Sequence, residues 1–309
     1  MKNLSANALG ALFMMGAMAG FVLNDTLMKL VLEDVSLFQA ILIRGLFATT
    51  FMALLCLAMG GFSSAKELKG NLKNRYLIWR SIGEVGGTFF FLTALFHLPI
   101  ANVTAVLQVL PLSITLAASL FLGEAVGWKR YIAISIGFCG VLLIVKPGAE
   151  GFSIFSIYAL VATGFITLRD IATRQMPSSI PSTLVSLVTS VLVTTLGLLG
   201  SFFQPWADVS SLQLAYMIGA AAILMVGYIC SILAMRDGEV SFVAPFRYSI
   251  LIWALLLGFF VFDDVPDWIS VIGALLIVGS GLFSFYRERM LAKKAAMSLA
   301  SSSDSLSNH

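Results

Sequence analysis

Charge is what this sequence has least of. Of its 309 residues, 11% are Asp, Glu, Lys or Arg and 59% are hydrophobic, whereas about a quarter of a soluble globular domain is charged. A water-soluble fold is excluded. Histidine is scarcer still, with two residues, and there are three cysteines. Cys56, Cys139 and Cys230 stand singly in apolar runs and read as small core residues. Neither His97 nor His309 has a partner at ligand spacing, so no metal and no cofactor is expected. A GxxxxGK[ST] loop is missing, which excludes direct driving by ATP. HExxH-like pairs are missing too, so an intramembrane enzyme is a distant reading and the chain is expected not to be an enzyme.

What is abundant is apolar sequence in blocks of about twenty residues, the length that crosses a hydrocarbon core as a helix. Ten such blocks lie near residues 9–30, 37–58, 77–97, 103–122, 131–145, 154–174, 183–203, 212–235, 242–261 and 269–286. Runs such as GALLIVGSGLFSF are apolar on every side, which excludes the alternation of a membrane β-barrel. The first block is too long for a signal-peptide core, and its cleavage-like AMAG lies inside it, so it reads as a retained span.

Lys and Arg distribute unevenly between the two sides. With ten spans and the N-terminus inside, thirteen fall inside, Lys29 and Lys146 fall outside, and Arg44, Arg80, Arg169 and Arg247 lie within spans. Positive charge is retained in the cytoplasm. The expectation is a plasma (bacterial inner) membrane protein with both termini cytoplasmic. The small net charge of +3 is a topology signal and gives no reason to invoke nucleic acid. Trp79, Trp128, Trp206 and Trp268 mark span ends, where indoles favour the interface.

The chain also repeats itself. At a shift of 140 residues, ALFHLPIANVTAVLQVLP from Ala94 aligns with AMRDGEVSFVAPFRYSIL from Ala234, so that Glu124 meets Asp264 and Trp128 meets Trp268. At a shift of 145, LNDTLMK aligns with LRDIATR and Asp25 meets Asp170. Five spans per half is odd, so the second copy enters the membrane from the opposite side. The expected fold is all-α and integral to the membrane, with ten helices in two inverted five-helix repeats. The first repeat covers residues 1–148, the second 149–289, and 290–309 form a disordered cytoplasmic tail.

The ten spans, the five-plus-five repeat and the pattern FLGE…W…G…GV (Phe121 to Glu124, Trp128, Gly137, Gly140, Val141) resemble the drug/metabolite transporter superfamily, EamA type. The resemblance covers nearly the whole chain. In the second copy FFVFDD stands where the first has FLGE, so Asp263 or Asp264 only approximately replaces the glutamate. The resemblance implies a secondary transporter of small metabolites with a central cavity between the halves.

A charged side chain within a span costs at least about 2.5 to 3.5 kcal/mol without a partner or a wet cavity. Arg80 and Glu84 are four residues apart and share a helix face with Gly83, Gly87 and Phe91; Arg80 either pairs there or snorkels to the headgroups. Arg44 either binds an anionic group or pairs with Asp25. Depth divides the set, with Asp25, Arg44 and Gln108 toward the outer leaflet and Arg80, Glu84, Arg169, Asp170 and Arg247 toward the inner. Arg44, Arg80, Gln108, Arg247, Tyr248 and Trp253 are the candidate substrate contacts, Trp253 alternatively being a core residue. Asp25, Glu84 and Asp170 are the candidate gating or proton-coupling carboxylates, Asp170 alternatively a static partner of Arg169 or Arg174. Arginines outnumber these acids, which favours a carboxylate-bearing or zwitterionic, amino-acid-like metabolite carried with a proton or a counter-substrate. Export of cationic amphipathic drugs is the alternative, and a passive channel a more distant one.

Overall fold

In the computed structural model, residues 6–58, 72–123, 126–147, 152–177, 179–237 and 243–307 are described, and every regular element among them is helical. The first half holds α1 (Ala6–Leu32), α2 (Leu37–Ala58), α3 (Arg75–His97), α4 (Ile100–Leu107), α5 (Leu110–Leu122) and α6 (Trp128–Val145). The second holds α7 (Ile154–Arg174), α8 (Ser182–Ser201), α9 (Ser211–Asp237), a 3₁₀ segment (Ala244–Ser249) leading into α10 (Ile250–Phe262), and α11 (Trp268–Ser307). Taking α4 with α5, and the 3₁₀ segment with α10, gives ten crossings at the positions expected from the sequence. Nine of them are long and apolar enough to span a membrane. The tenth, α3, carries Arg75, Arg80 and Glu84 and packs chiefly against α7 and α8.

Local chemistry sets several helix ends. Asn74 caps α3 by accepting from the Tyr76 N–H at 2.9 Å, and Ser153 caps α7 through Phe155. α5 stops at Gly123, whose φ of 68° is left-handed and free of Cβ strain.

Two features depart from the sequence reading. The fourth span is broken at Gln108 and Val109, because Pro111 has no N–H to give the Leu107 carbonyl. Its counterpart at a shift of 140 residues is the 3₁₀ segment of the ninth span, which contains Pro245. The other departure is that α11 runs on to Ser307 where a disordered tail is expected from residue 290. Residues 291–300 are mostly Ala, Leu, Met and Lys, all good helix formers. Lys2, Lys66, Lys69, Glu124, the half boundary near Gly148 and His309 lie outside the described residues.

The packing partners show how the halves meet. The most extensive contacts are α1 with α9, α3 with α7, α2 with α8 and α6 with α11. Numbered as spans these are 1 with 8, 3 with 6, 2 with 7 and 5 with 10. Exchanging each span with the one five later converts the first pair into the second and leaves the other two unchanged. This is the two-fold relation of an inverted repeat. Glycines allow the closest approach. A Cβ on Gly140 of α6 would lie 2.6 Å from the Gly273 carbonyl oxygen of α11, and one on Gly273 would lie 2.5 Å from that of Gly140.

At the end remote from the termini, side chains tie the helices together. Gln39 accepts from the Ala207 N–H at 2.9 Å and donates to the Ala207 carbonyl at 2.8 Å. Lys29 donates to the Leu98 carbonyl, lies 3.9 Å from Asp264 and sits over the Phe262 ring. Lys146 pairs with Asp267 at 2.6 Å. Three connections thus close over one end of the bundle.

Candidate functional site

The buried polar residues converge where α1, α2, α3, α7 and α9 meet. Glu84 is the hub. Its carboxylate lies 3.8 Å from Arg80 on its own helix and 3.5 Å from Arg169 on α7. α7 comes this close because Gly83 faces it: a Cβ there would lie 2.7 Å from both the Arg169 nitrogen and the Phe165 carbonyl oxygen. Arg169 also donates from Nε to Asp170 Oδ1 at 2.8 Å. On α1, Asn24 donates to Asp25 Oδ1 at 2.9 Å and accepts from Arg44 at 3.4 Å. Among the described residues Arg44 and Asp25 form no direct ion pair, because Asn24 stands between them.

Three adjoining cavities surround this cluster. One of about 190 Å³ is lined by Asn24, Asp25, Arg44, Glu84, Arg169 and Tyr228. A second, of about 220 Å³, shares Arg44, Glu84 and Tyr228, and continues past Arg80 along the α8 hydroxyls of Ser190, Ser186 and Thr183. A third, of about 330 Å³, shares Asp25, Phe91 and Arg169 with the first and reaches Gln108, Asp170, Arg247 and Tyr248. Gln108 sits at the break in the fourth span and Tyr248 in the 3₁₀ segment of the ninth. Irregular backbone in a membrane bundle occurs where it lines a cavity.

Eight of the nine expected site residues therefore line these cavities. Trp253 does not line any of the three; it packs between two core clusters, the alternative its sequence allowed, with Nε1 buried and unbonded. Arg44 and Asp25, expected toward the outer leaflet, line one cavity with Glu84 and Arg169, expected toward the inner. The Arg80–Glu84 pair is present. Asp170 pairs with Arg169 and also faces the third cavity.

Asn24, Thr88 and Tyr228 belong to the site and were not singled out from sequence. The repeat contains the signal for all three. At a shift of 145, Asn24 is the counterpart of Arg169, and at a shift of 140, Thr88 is that of Tyr228.

The arrangement offers four guanidinium groups around one cavity system, those of Arg44, Arg80, Arg169 and Arg247, and two of them have buried nitrogens without a hydrogen-bond partner: Nε of Arg44, and Nε and Nη1 of Arg80. Such donors fit a carboxylate or another planar anion. No group of three or more His, Cys, Asp or Glu side chains able to hold a metal is present among the described residues.

Comparison with known proteins identifies the architecture. A crystal structure 19% identical in sequence superposes with a TM-score of 0.61, over 91% of this chain and 98% of the other. The S-adenosylmethionine uptake transporter of Rickettsia conorii is 28% identical over 194 residues, 62% of this chain and 65% of its own length. The riboflavin transporter of Vibrio cholerae is 29% identical over 189 residues, 61% of this chain and 63% of its own. The pseudopaline exporter of Pseudomonas aeruginosa is 26% identical over 206 residues, 63% of this chain and 70% of its own. The matches to the first two thus span a little under two thirds of those relatives. The sequence pattern of one family matches twice, over residues 8–146 and again over 153–286. The chain belongs to the EamA-like transporter family.

Proposed function

We propose that this protein is a secondary transporter of a small metabolite bearing a carboxylate, most simply an α-amino-acid zwitterion, which binds in the central cavities and is exposed alternately to each side. The observation that carries this is Arg44. Glu84 and Asp170 together balance Arg80 and Arg169, whereas Arg44 has one long contact to Asn24 and an unbonded Nε beside the cavity. A substrate carboxylate bound there gains charge-assisted hydrogen bonds, and its ammonium group can reach Asp25. The uptake transporters of S-adenosylmethionine, a compound that is itself an α-amino acid, support this class.

Asp25 is the carboxylate we assign to proton coupling. It accepts from Asn24, has no ion pair within 4 Å among the described residues, and lines both the first and third cavities. Exchange for a second solute would use the same site. The Lys and Arg distribution supports cytoplasmic termini in a bacterial inner membrane. The Lys29 and Lys146 ties would then close the outer face, leaving the cavity along α8 as the cytoplasmic path.

The test is thermal stabilisation of the purified transporter by methionine, S-adenosylmethionine, dicarboxylates, riboflavin and cationic amphipaths, repeated with Arg44→Ala. A ligand that binds only the folded state raises its stability. Amino-acid ligands should stabilise the native protein and lose the effect in Arg44→Ala. Stabilisation by cationic amphipaths alone would overturn the reading and favour drug export.

A further inference from the structure

α3 presents two faces to two different cavities. Arg80, Glu84, Thr88 and Phe91 face the central site, while Phe89, Thr93, Phe96 and His97 lie on the opposite side of the helix at 100° per residue. That second face borders a separate cavity of about 370 Å³ at the end remote from the termini, where α3 meets the ends of α1, α2, α7 and α8. None of its lining residues is shared with the three central cavities.

Its walls are aromatic. Phe38 and Phe89 lie nearly parallel with ring centroids 5.8 Å apart, and the Tyr158 and His97 rings complete the surround. His97 stacks on Phe155 at 3.5 Å, which holds its plane. A Cβ on Gly200 would collide with the Phe38 ring, so that glycine is what lets the ring lie there.

The unpaired polar atoms are few, and each of them can accept a hydrogen bond. Gln204 Oε1 and Ser36 Oγ are buried in the lining without a hydrogen-bond partner. His97 Nδ1 lies 2.9 Å from the Thr93 carbonyl, which can only accept, so Nδ1 carries the proton and Nε2 of the neutral ring is an acceptor. Buried acceptors without a donor are costly. A lipid acyl chain would fill the space and leave them unpaired. A flat ring with N–H groups at its edge would stack on the walls and satisfy them.

We propose that this cavity is a second binding site, distinct from the central transport site, for a planar heteroaromatic ring carrying an N–H donor. An apolar cavity of about 150 Å³ holds benzene, so this one has room for two fused rings. The site would collect such a group at the mouth before, or after, passage through the centre.

2-Aminopurine riboside is a suitable probe, because it carries an exocyclic amine and its fluorescence is quenched on stacking. Titrated against the full-length protein in nanodiscs, it should show saturable quenching that empty nanodiscs lack. Gln204→Leu removes the acceptor at similar volume and should weaken binding about tenfold, the scale of one lost hydrogen bond. Phe89→Leu should weaken it and reduce the quench, while Arg44→Ala should leave both unchanged. Absence of saturable quenching would overturn the proposal. So would quenching lost in Arg44→Ala but kept in Gln204→Leu and Phe89→Leu, which would place the ring in the central cavity. Displacement of bound probe by added phospholipid alone would also overturn it, since the groove would then be a lipid site.

Discussion

Glu84 holds two arginines from two halves of the molecule, so Glu84→Gln is the perturbation that best tests the central cluster. The substitution keeps the shape and removes the charge. Each attraction, at 3.5 and 3.8 Å, is about 4 to 5 kcal/mol gross at an effective dielectric of about 20, before desolvation is subtracted. Removing one partner of a buried pair costs about 3 to 5 kcal/mol, because it leaves an uncompensated charge. Asp170 still holds Arg169 at 2.8 Å, so the charge left exposed to this cost is mainly that of Arg80. The Glu84 side chain is 21% exposed, and both distances exceed hydrogen-bond reach. We therefore expect the lower end, about 3 kcal/mol. Equilibrium unfolding in mild detergent would measure it, within a double-mutant cycle adding Arg80→Gln. The two changes should be non-additive by about 1 kcal/mol or more. Additivity to within about 0.5 kcal/mol would mean that the two groups titrate and fold independently, and the hub assignment would be wrong.

The Lys146 hydrogen bond holds the Asp267 carboxyl down at about 2, with the two Ser270 bonds helping. A lowered carboxylate pKa stabilises the fold above its unfolded value near 3.9, and that contribution is lost as pH falls through about 2. Stability curves of the native protein and Lys146→Met should thus separate above about pH 4 and converge near pH 2. Gly140→Val should abolish folded yield on size-exclusion chromatography, because the clash is with the Gly273 backbone. Gly16→Ala, with nothing within 4 Å of the added Cβ, should be neutral or raise stability by up to about 1 kcal/mol. Lys29→Met should loosen the closed end, measured as faster thiol labelling of a cysteine placed at Asn102; unchanged labelling would mean that Lys29 does not hold that end shut.

The spans were legible because hydrocarbon imposes a length and a composition on a helix, and ten apolar blocks leave little freedom. The break at Gln108 was less so, since Pro111 announces a missing hydrogen bond but not which neighbouring carbonyl is released. The ion pairs divided in the same way. Arg80 and Glu84 lie four residues apart on one helix, so their pairing follows from local geometry. Arg169 reaching Glu84 depends on how closely α7 approaches α3. That distance is set by Gly83, a residue whose role is visible only once both helices are in place. Trp253 shows the limit of composition, since a tryptophan inside a span suits a ligand wall and a packed core equally.

Asn24 belongs to the repeat as much as Asp25 does, and this bears on mechanism. At a shift of 145, Asn24–Asp25 corresponds to Arg169–Asp170. In each copy the first residue donates to Oδ1 of the aspartate that follows, at 2.9 and 2.8 Å. At a shift of 140, Glu84 and Thr88 correspond to Leu224 and Tyr228, and all four line the cavity of about 190 Å³. The repeats thus put their side chains in equivalent places but with different chemistry: amide for guanidinium, carboxylate for leucine, hydroxyl for phenol. In a carrier whose two open states are exchanged images of each other, identical halves would make those states equal in energy. Here the exchange would move a two-arginine carboxylate to the place of a leucine. The substrate would therefore meet different fields on the two sides of the membrane, and the states need not be equally populated. Glu84→Leu with Leu224→Glu, which moves the charge to its image position, should shift the balance between the two open states, measured as the ratio of cysteine labelling at the two ends. An unchanged ratio would show that the closing contacts, rather than the central charges, set which state prevails.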